Sequence, residues 1–294
     1  MSWLRGNRKL QIGLLILAPF VVAAIIPGQL APHRPDTLLD SPFLPPSWHY
    51  LLGTDESGRD ILSRLIYSAR ADLAISLSAT LIAAVIGVAL GLAAGYRGGN
   101  WSTVCLRVTD VRLAFPSLLL ALFLIAVVGP SDSIVVIALV ILYIPGFMRL
   151  SRGLALQLRE RSFIEASHIS GGGPLYIVRR HLVPNAMGPL LVGISLTAAY
   201  SLLAAATLSY LGLGAPPPAP SWGSMSQQAY NYLFQDWSYG IMPGACILIV
   251  SFAYLLIAAG IEDGIQRGAR MARATGGQDA SDAVTDAVPA EAAA

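Results

Sequence analysis

"LAISLSATLIAAVIGVALGLAAGY", residues 73–96, contains neither a charged side chain nor a proline. This run decides the fold class. In lipid every backbone amide must find its partner inside its own segment, and about 20 apolar residues of α-helix cross the hydrocarbon layer. The rest of the chain has the same character: of 294 residues, 55% are hydrophobic and only 12% charged, with a mean hydropathy of +0.62. These values lie outside the soluble globular range and indicate an all-α membrane protein.

Outward from this run, five further stretches qualify as spans: about Leu10–Ile26, Leu106–Val128, Ile134–Met148, Met187–Leu211 and Ile241–Ile261. Six transmembrane helices are therefore expected. The Leu106–Val128 run carries its few charges only at its start, and no span is expected to hold an ionisable group near its centre, as ion-gradient carriers usually do. The first run follows Arg5, Arg8 and Lys9 and is read as an uncleaved anchor, since "IIPGQLAPH" offers no small-x-small cleavage site. With the N-terminus inside, fifteen Lys and Arg lie in the cytoplasm, and only Arg34, Arg59, Arg64 and Arg70 lie outside. Cytoplasmic loops carry this excess, so both termini are expected there. Cys105 and Cys246 fall near opposite faces, too far apart for a disulfide, and read as small apolar residues.

Three regions follow. Residues 1–72 form the anchor and an external loop, residues 73–265 the main membrane domain, and residues 266–294 a small, mildly acidic cytoplasmic tail expected to lack order. The external loop opens with "PGQLAPHRPDTLLDSPFLPPSWHY", whose prolines favour extended, irregular chain. In "LLGTDESGRDILSRLIYSAR", Ser57 and Asp60 have capping-box spacing and apolar residues fall at 61, 62, 65 and 66. That pattern predicts an amphipathic helix on the membrane surface feeding the second span, with Asp60 and Arg64 on a solvated face. A second external loop, "LGLGAPPPAPSWGSMSQQAYNYLFQDWSYG", places Trp222, Tyr230, Tyr232, Phe234, Trp237 and Tyr239 where an interfacial aromatic belt is expected, with reception of cargo as the alternative.

The polar passage "SFIEASHISGGGPLYIVRRHLVPN", residues 162–185, lies in the longest cytoplasmic connection, residues 149–187. Glu165 and His168 give one E-x-x-H half-motif, but a di-iron site needs a second copy and further carboxylates. The H-E-x-x-H zinc pattern is absent. Ser167 and His168 are adjacent and point about 100° apart on a helix, which does not suit a nucleophile and its base. Lys9 is the only lysine, so no Walker A phosphate loop exists. If the chain moves a solute, the energy enters through another subunit. The passage reads instead as a docking device: a helix with a flat patch at Ala166 and Ser167, a reversal at Gly171, Gly172 and Gly173, and a short helix that Pro184 stops, with Asn185 capping the next span.

Here the residues resemble a known family. Glu165, Ala166, Ser167, Gly171 and Pro184 match the EAA loop of membrane subunits of bacterial binding-protein-dependent ABC importers. Ser167 replaces the second Ala, His181 the Ile and Val183 the Leu, and "RRHLVPN" is similar to the variant of the dipeptide, oligopeptide and nickel branch. "LGTDESGRDILSRLIYSAR", "GYRGGNWSTVCLRVTDVRLAFPSLLLAL" and "YLGLGAPPPAPSWG" follow the same branch, so the resemblance covers about residues 50–265, with the Pro-rich start of the external loop and the tail outside it. The external motif residues are Gly53, Thr54, Asp55, Gly58, Arg59 and Asp60 in the first loop, and Gly212, Pro217, Pro220, Trp222 and Gly223 in the second.

The resemblance implies a C-type permease with a type I ABC importer transmembrane domain and a cytoplasmic coupling helix, in the bacterial inner membrane. It implies that Phe163, Glu165, Ala166, Ser167, Gly171 and Pro184 belong to a loop that docks on an ATPase. It further implies a homologous permease partner, two cytoplasmic ATPase subunits carrying ATP and Mg, an external binding protein and a peptide cargo. No cofactor or metal on this chain, no catalysis by it, and no nucleic acid are expected. Nickel or another small solute is the alternative cargo, and an intramembrane enzyme or a membrane scaffold the alternative of another class. Asp110, Arg112, Ser195 and Thr197 are candidates for the pathway, which the sequence does not locate.

Overall fold

The computed structural model describes residues 7–232 and 237–286, with side chains except at 101, 237 and 269–286. Among them the regular structure is helical, apart from an isolated bridge between Thr54 and Asp60. The helices are α1 (Arg8–Ile25), α2 (Pro27–Leu30), α3 (Ile61–Arg97), α4 (Gly99–Leu113), α5 (Ser117–Val128) and α6 (Asp132–Arg159). After them come α7 (Ser162–Ile169), α8 (Pro174–Ile177), a π segment (Val178–Leu182), α9 (Val183–Tyr210), α10 (Trp222–Tyr230) and α11 (Trp237–Asp286). Among the described residues, five helical stretches are long and apolar enough to cross a membrane: Arg8–Ile25, Ile61–Arg97, Asp132–Arg159, Pro174–Tyr210 and Ser238–Gly268.

The sixth span is broken. Ser102–Leu113 and Ser117–Val128 meet at 84°, because Pro116 supplies no N–H and disfavours helix at Phe115 before it. The single run read from Leu106 to Val128 is thus two helices with a corner between them.

In lipid, apolar contact alone gives helices little reason to associate, so close backbone approach and interhelical hydrogen bonds carry the packing. Helix α3 lies against α6 through Gly87, Gly91 and Gly95. A Cβ at Gly87 would stand 2.6 Å from the Ile144 carbonyl oxygen, one at Gly91 2.0 Å from Ser151 Oγ, and one at Gly95 2.6 Å from Ala155 Cβ. Gly13 and Gly260 give α1 and α11 the same close approach. Asn7 Nδ2 donates to the Gly260 carbonyl and Lys9 pairs with Asp263 at 2.9 Å. Ile265 packs on Gly188 at the start of α9. The beginning of α1, the latter part of the α11 span and the 149–187 loop therefore share one end of the bundle.

Several sequence readings are corrected. There is no separate surface helix before the second span: Ile61–Arg97 is one continuous helix. Its first turns are buried, with Asp60 and Arg64 each 1% exposed rather than solvated. The cap is not a Ser57–Asp60 box; Asp60 is itself the N-cap, its carboxylate accepting from Ser63 N at 3.0 Å. Trp222 and Tyr239 leave the interfacial belt for the interior, while Tyr230 stays exposed and Tyr232 is half-buried. Phe234 and the Trp237 side chain lie outside the described residues. Helix α11 continues to Asp286, so helix replaces the disorder read from residue 266 onward. The alanines of that stretch favour helix more than its polarity suggests. Residues 287–294 lie outside the described set.

The glycine seam generates a matched test. Gly91→Ala and Gly153→Ala make the same chemical change in mid-helix, but the second glycine faces open space. Overpacking is expected to cost Gly91→Ala about 1–3 kcal/mol, read as a lower melting midpoint in detergent. Gly153→Ala should match or exceed the parent.

Candidate functional site

Helix α7 is fixed to the bundle by one apolar side chain. Ile164, 1% exposed, sits in a cluster with Leu92 of α3, Ala155 of α6, Ile177 and Leu182, bordered by Val88, Tyr96 and Leu158. Tyr96 adds a second tie, its Oη 3.2 Å from His168 Nε2 with the rings 7° from parallel. The other faces of α7 are open. Glu165, Ala166 and His168 are exposed, and Ile169 is 83% exposed. Phe163, Leu175 and Tyr176 extend the same apolar surface.

The three glycines do different work. Ser170 N donates to the Ala166 carbonyl, Gly171 N to His168 and Gly172 N to Ser167, all within 2.9–3.0 Å, which closes α7 in a tight reversal. Only Gly171 takes the left-handed region, at φ +82°, where a side chain is strained. At Gly172 the constraint is space, since a Cβ would come within 2.7 Å of Ser167 Oγ. Gly173 is extended at φ −70° and precedes Pro174, the first residue of α8. The reversal leaves a cleft of about 590 Å³ lined by Phe163, Ala166, Ser167, Ser170, Tyr176 and His181, among others.

Pro184 does not stop the second short helix, and Asn185 does not cap a new one. The chain passes from α8 through the π segment into α9 without a break. Pro184 has no N–H for the Arg180 carbonyl and its ring would crowd that carbonyl in an α-helix. The wider π turn makes room, with Val183 N donating to the Val178 carbonyl five residues back. Asn185 Nδ2 donates to the His181 carbonyl at 2.7 Å.

At the opposite end of α3, the first external motif folds into a buried ionic knot. Asp55 Oδ1 accepts from Arg59 N at 2.9 Å and from Ser57 N at 2.8 Å. Its Oδ2 accepts from Arg59 Nε and Arg64 Nη1, both at 2.8 Å. Arg64 therefore pairs with Asp55, and its Nη2 reaches Gln228 of α10 at 3.2 Å. Thr54 Oγ1 donates to the Ser41 carbonyl at 2.9 Å, and Gly58, at φ +76°, leaves no room for a Cβ beside the Asp40 carbonyl. Gly53 also has positive φ, and its carbonyl accepts from Ile61 N at 3.2 Å. The second motif packs onto this knot. Trp222 N donates to Asp72 Oδ2 at 2.8 Å and Trp222 Nε1 to the Leu65 carbonyl at 3.1 Å. Gly223 allows α10 to touch the Ala206 carbonyl, and Gly212 turns the chain at φ +79°. Pro217 is exposed and Pro220 half-buried. The two external motifs, far apart in sequence, thus form one assembly, while the EAA-type residues gather at the other end.

Of the pathway candidates, Asp110 pairs with Arg149 at 3.1 Å on the surface, and Ser195 Oγ returns to the Leu191 carbonyl at 3.0 Å. Arg112 and Thr197 share a cavity of about 620 Å³ between α5, α6 and α9. Asp72, just before the uncharged run, is fully buried, and Arg112 stands in the last turn of α4 beside the Pro116 corner. Asp72 was missed because it borders the uncharged run, and only the fold brings Trp222 to it.

Comparison with known proteins agrees with this geometry. The family described as "Binding-protein-dependent transport system inner membrane component" matches residues 87–267. A putative peptide transport system permease protein of Brucella abortus is 39% identical over 262 residues, covering 88% of each chain. The dipeptide transport system permease protein DppC of Escherichia coli K12 is 37% identical over 270 residues, covering 90% of each. Among solved structures, a chain of the MetNI methionine ABC transporter in inward-facing conformations superposes with a TM-score of 0.56 at 19% identity, covering 70% of this chain and 97% of that one. That likeness speaks for the fold.

The knot predicts an asymmetric cost. Asp55→Asn leaves the buried Arg64 without its counter-ion and Arg59 with Glu56 alone, and is expected to lose about 3–5 kcal/mol, measured as the melting midpoint of the purified chain. The pair Asp55→Asn with Arg64→Gln should recover part of that loss.

Proposed function

Because this chain belongs to the family of binding-protein-dependent transport system inner membrane components, we propose that it is the membrane translocation subunit of an ATP-driven importer of dipeptides or oligopeptides. The names of its relatives from Brucella and Escherichia coli support the cargo. The observation that carries the mechanism is the state of α7: one buried residue, Ile164, anchors it to α3, α6 and the α8–π stretch that leads into α9, while Glu165, Ala166 and Ile169 face outward. A helix held this way is a handle.

In this reading α7 docks on a cytoplasmic ATPase subunit. Ala166 lets the partner backbone approach, Glu165 meets a basic or polar group, and the apolar surface at Phe163 and Ile169 packs against the ATPase. When two ATPases close on ATP and Mg, they displace α7, and Ile164 passes the displacement to three spanning helices at once. Gly171 and the Pro184 π turn keep the loop stiff at both ends, so the motion is delivered as a push. This chain binds neither ATP nor Mg and catalyses nothing itself. A homologous permease completes the pathway, and an external binding protein delivers cargo to the opposite end. The excess of arginine around α7 favours a cytoplasmic position for this end and for both termini.

Two substitutions test the docking role in the reconstituted importer. Glu165→Lys reverses the exposed charge, and Gly171→Pro removes an N–H that bonds His168 and forbids φ +82°. Both are expected to lower peptide uptake and ATPase stimulation by loaded binding protein at least tenfold, with membrane insertion unchanged. Uptake and stimulation at parental levels would overturn the assignment.

A further inference from the structure

The outward faces of α1, α3 and α11 are apolar, with Leu14, Leu15, Leu81, Val85, Leu248 and Phe252 all exposed. This is the surface that lipid tails require. The cavity between α5, α6 and α9 is lined differently. Among its leucines stand Arg112, Ser117, Tyr143, Thr197, Tyr200 and Thr207. Those from α9 recur at helical spacing on one face, and Tyr200 is 59% exposed. A polar stripe on a spanning helix faces a pathway or another protein rather than hydrocarbon.

Arg112 is the unusual member. It lies in the last turn of α4 at the corner made by Pro116 and shares the cavity wall with Tyr143. At about 1.5 Å per residue, Tyr143 stands about 17 Å from the Asp132 end of α6, near the middle of a hydrocarbon layer roughly 30 Å thick. Neighbouring guanidinium groups are satisfied: Arg149 by Asp110 at 3.1 Å and Arg152 by Ser102 at 2.7 Å. Arg112 has neither hydrogen bond nor ion pair among the described residues, and its Nε is buried without a partner. An arginine kept at this depth without a counter-ion is costly unless an anion visits it.

The chemistry of a peptide cargo identifies the anion. Peptides of varied sequence share only their amide groups, a terminal ammonium and a terminal carboxylate. A pathway that passes many of them can hold only those common groups. The hydroxyls of Ser117, Tyr143, Thr197 and Tyr200 suit amides, a guanidinium suits a carboxylate through paired N–H bonds, and about 620 Å³ is room for a short peptide. We propose that this cavity is the chain's share of a transit site for short peptides, and that Arg112 takes their C-terminal carboxylate. The proposal rests on the peptide-import reading and names the subsite within it.

The test uses the complete importer, with partner permease, ATPases and binding protein, in proteoliposomes. Uptake of trialanine and of trialanine amide is compared in the parent, Arg112→Gln and Arg112→Lys, with melting midpoint and retention of the partner permease as controls for folding. Arg112→Gln is expected to slow trialanine at least tenfold and to leave the slower uptake of the amide within twofold of the parent. Arg112→Lys should keep at least a third of trialanine uptake. Equal slowing of both ligands, or loss of the partner permease, would overturn the proposal and assign Arg112 to an acidic group of that partner. Unaltered trialanine uptake in Arg112→Gln would overturn the subsite alone. A parent complex that accumulates neither ligand would remove the import reading and the carboxylate assignment together.

Discussion

The close approach of α3 and α6 is the constraint from which the rest of the molecule follows. Lipid tails are as apolar as the side chains they meet, so two spanning helices gain little from apolar contact and must instead approach closely enough for backbone packing. Gly87, Gly91 and Gly95 remove the side chains that would prevent it, and Ser151 Oγ sits in the seam, donating to the Phe147 carbonyl at 2.8 Å. With that seam in place, α3 becomes a rod whose two ends carry different fittings. Asp60 and Arg64 anchor the knot at one end, and Leu92 and Tyr96 hold α7 at the other.

The two fittings differ in kind. The knot is charged, buried and cross-linked by several hydrogen bonds, a construction that resists distortion because each ion loses its partner if the geometry opens. The α7 end is held by one apolar plug and one aromatic pair, with most of its surface free. A machine that receives force at one end and must keep its shape at the other is served by this asymmetry. Helices packed this tightly shift as units when one end is displaced, since dense interiors do not deform smoothly.

Polar groups inside the membrane domain mark where lipid is absent. Asp72 is spent on internal architecture, accepting from the Trp222 backbone and so fastening α10 to α3. Arg112 has no such internal use and opens onto the cavity. Asp72 is buried against its partner, whereas the Arg112 side chain has none among the described residues, a difference that residue type alone does not reveal.

The membrane class, the approximate spans and the polar glycine-containing loop at 149–187 are legible from the residues alone. Chain-local physics governs these: runs such as 73–96 satisfy their own amides, and Gly171 announces a left-handed turn wherever it lies. The sequence also marked both external motifs, but as isolated strings. The folded chain alone reveals that Asp55, Arg64 and Gln228 form one knot, that Trp222 leaves the interface for the interior, and that the third span turns a corner beside Arg112. Each of these depends on contacts between residues distant in the chain, or on a cavity walled by three helices. Periodicity and composition report what one segment prefers, whereas the partner of a buried charge is set by whichever distant segment the packed glycines bring within reach.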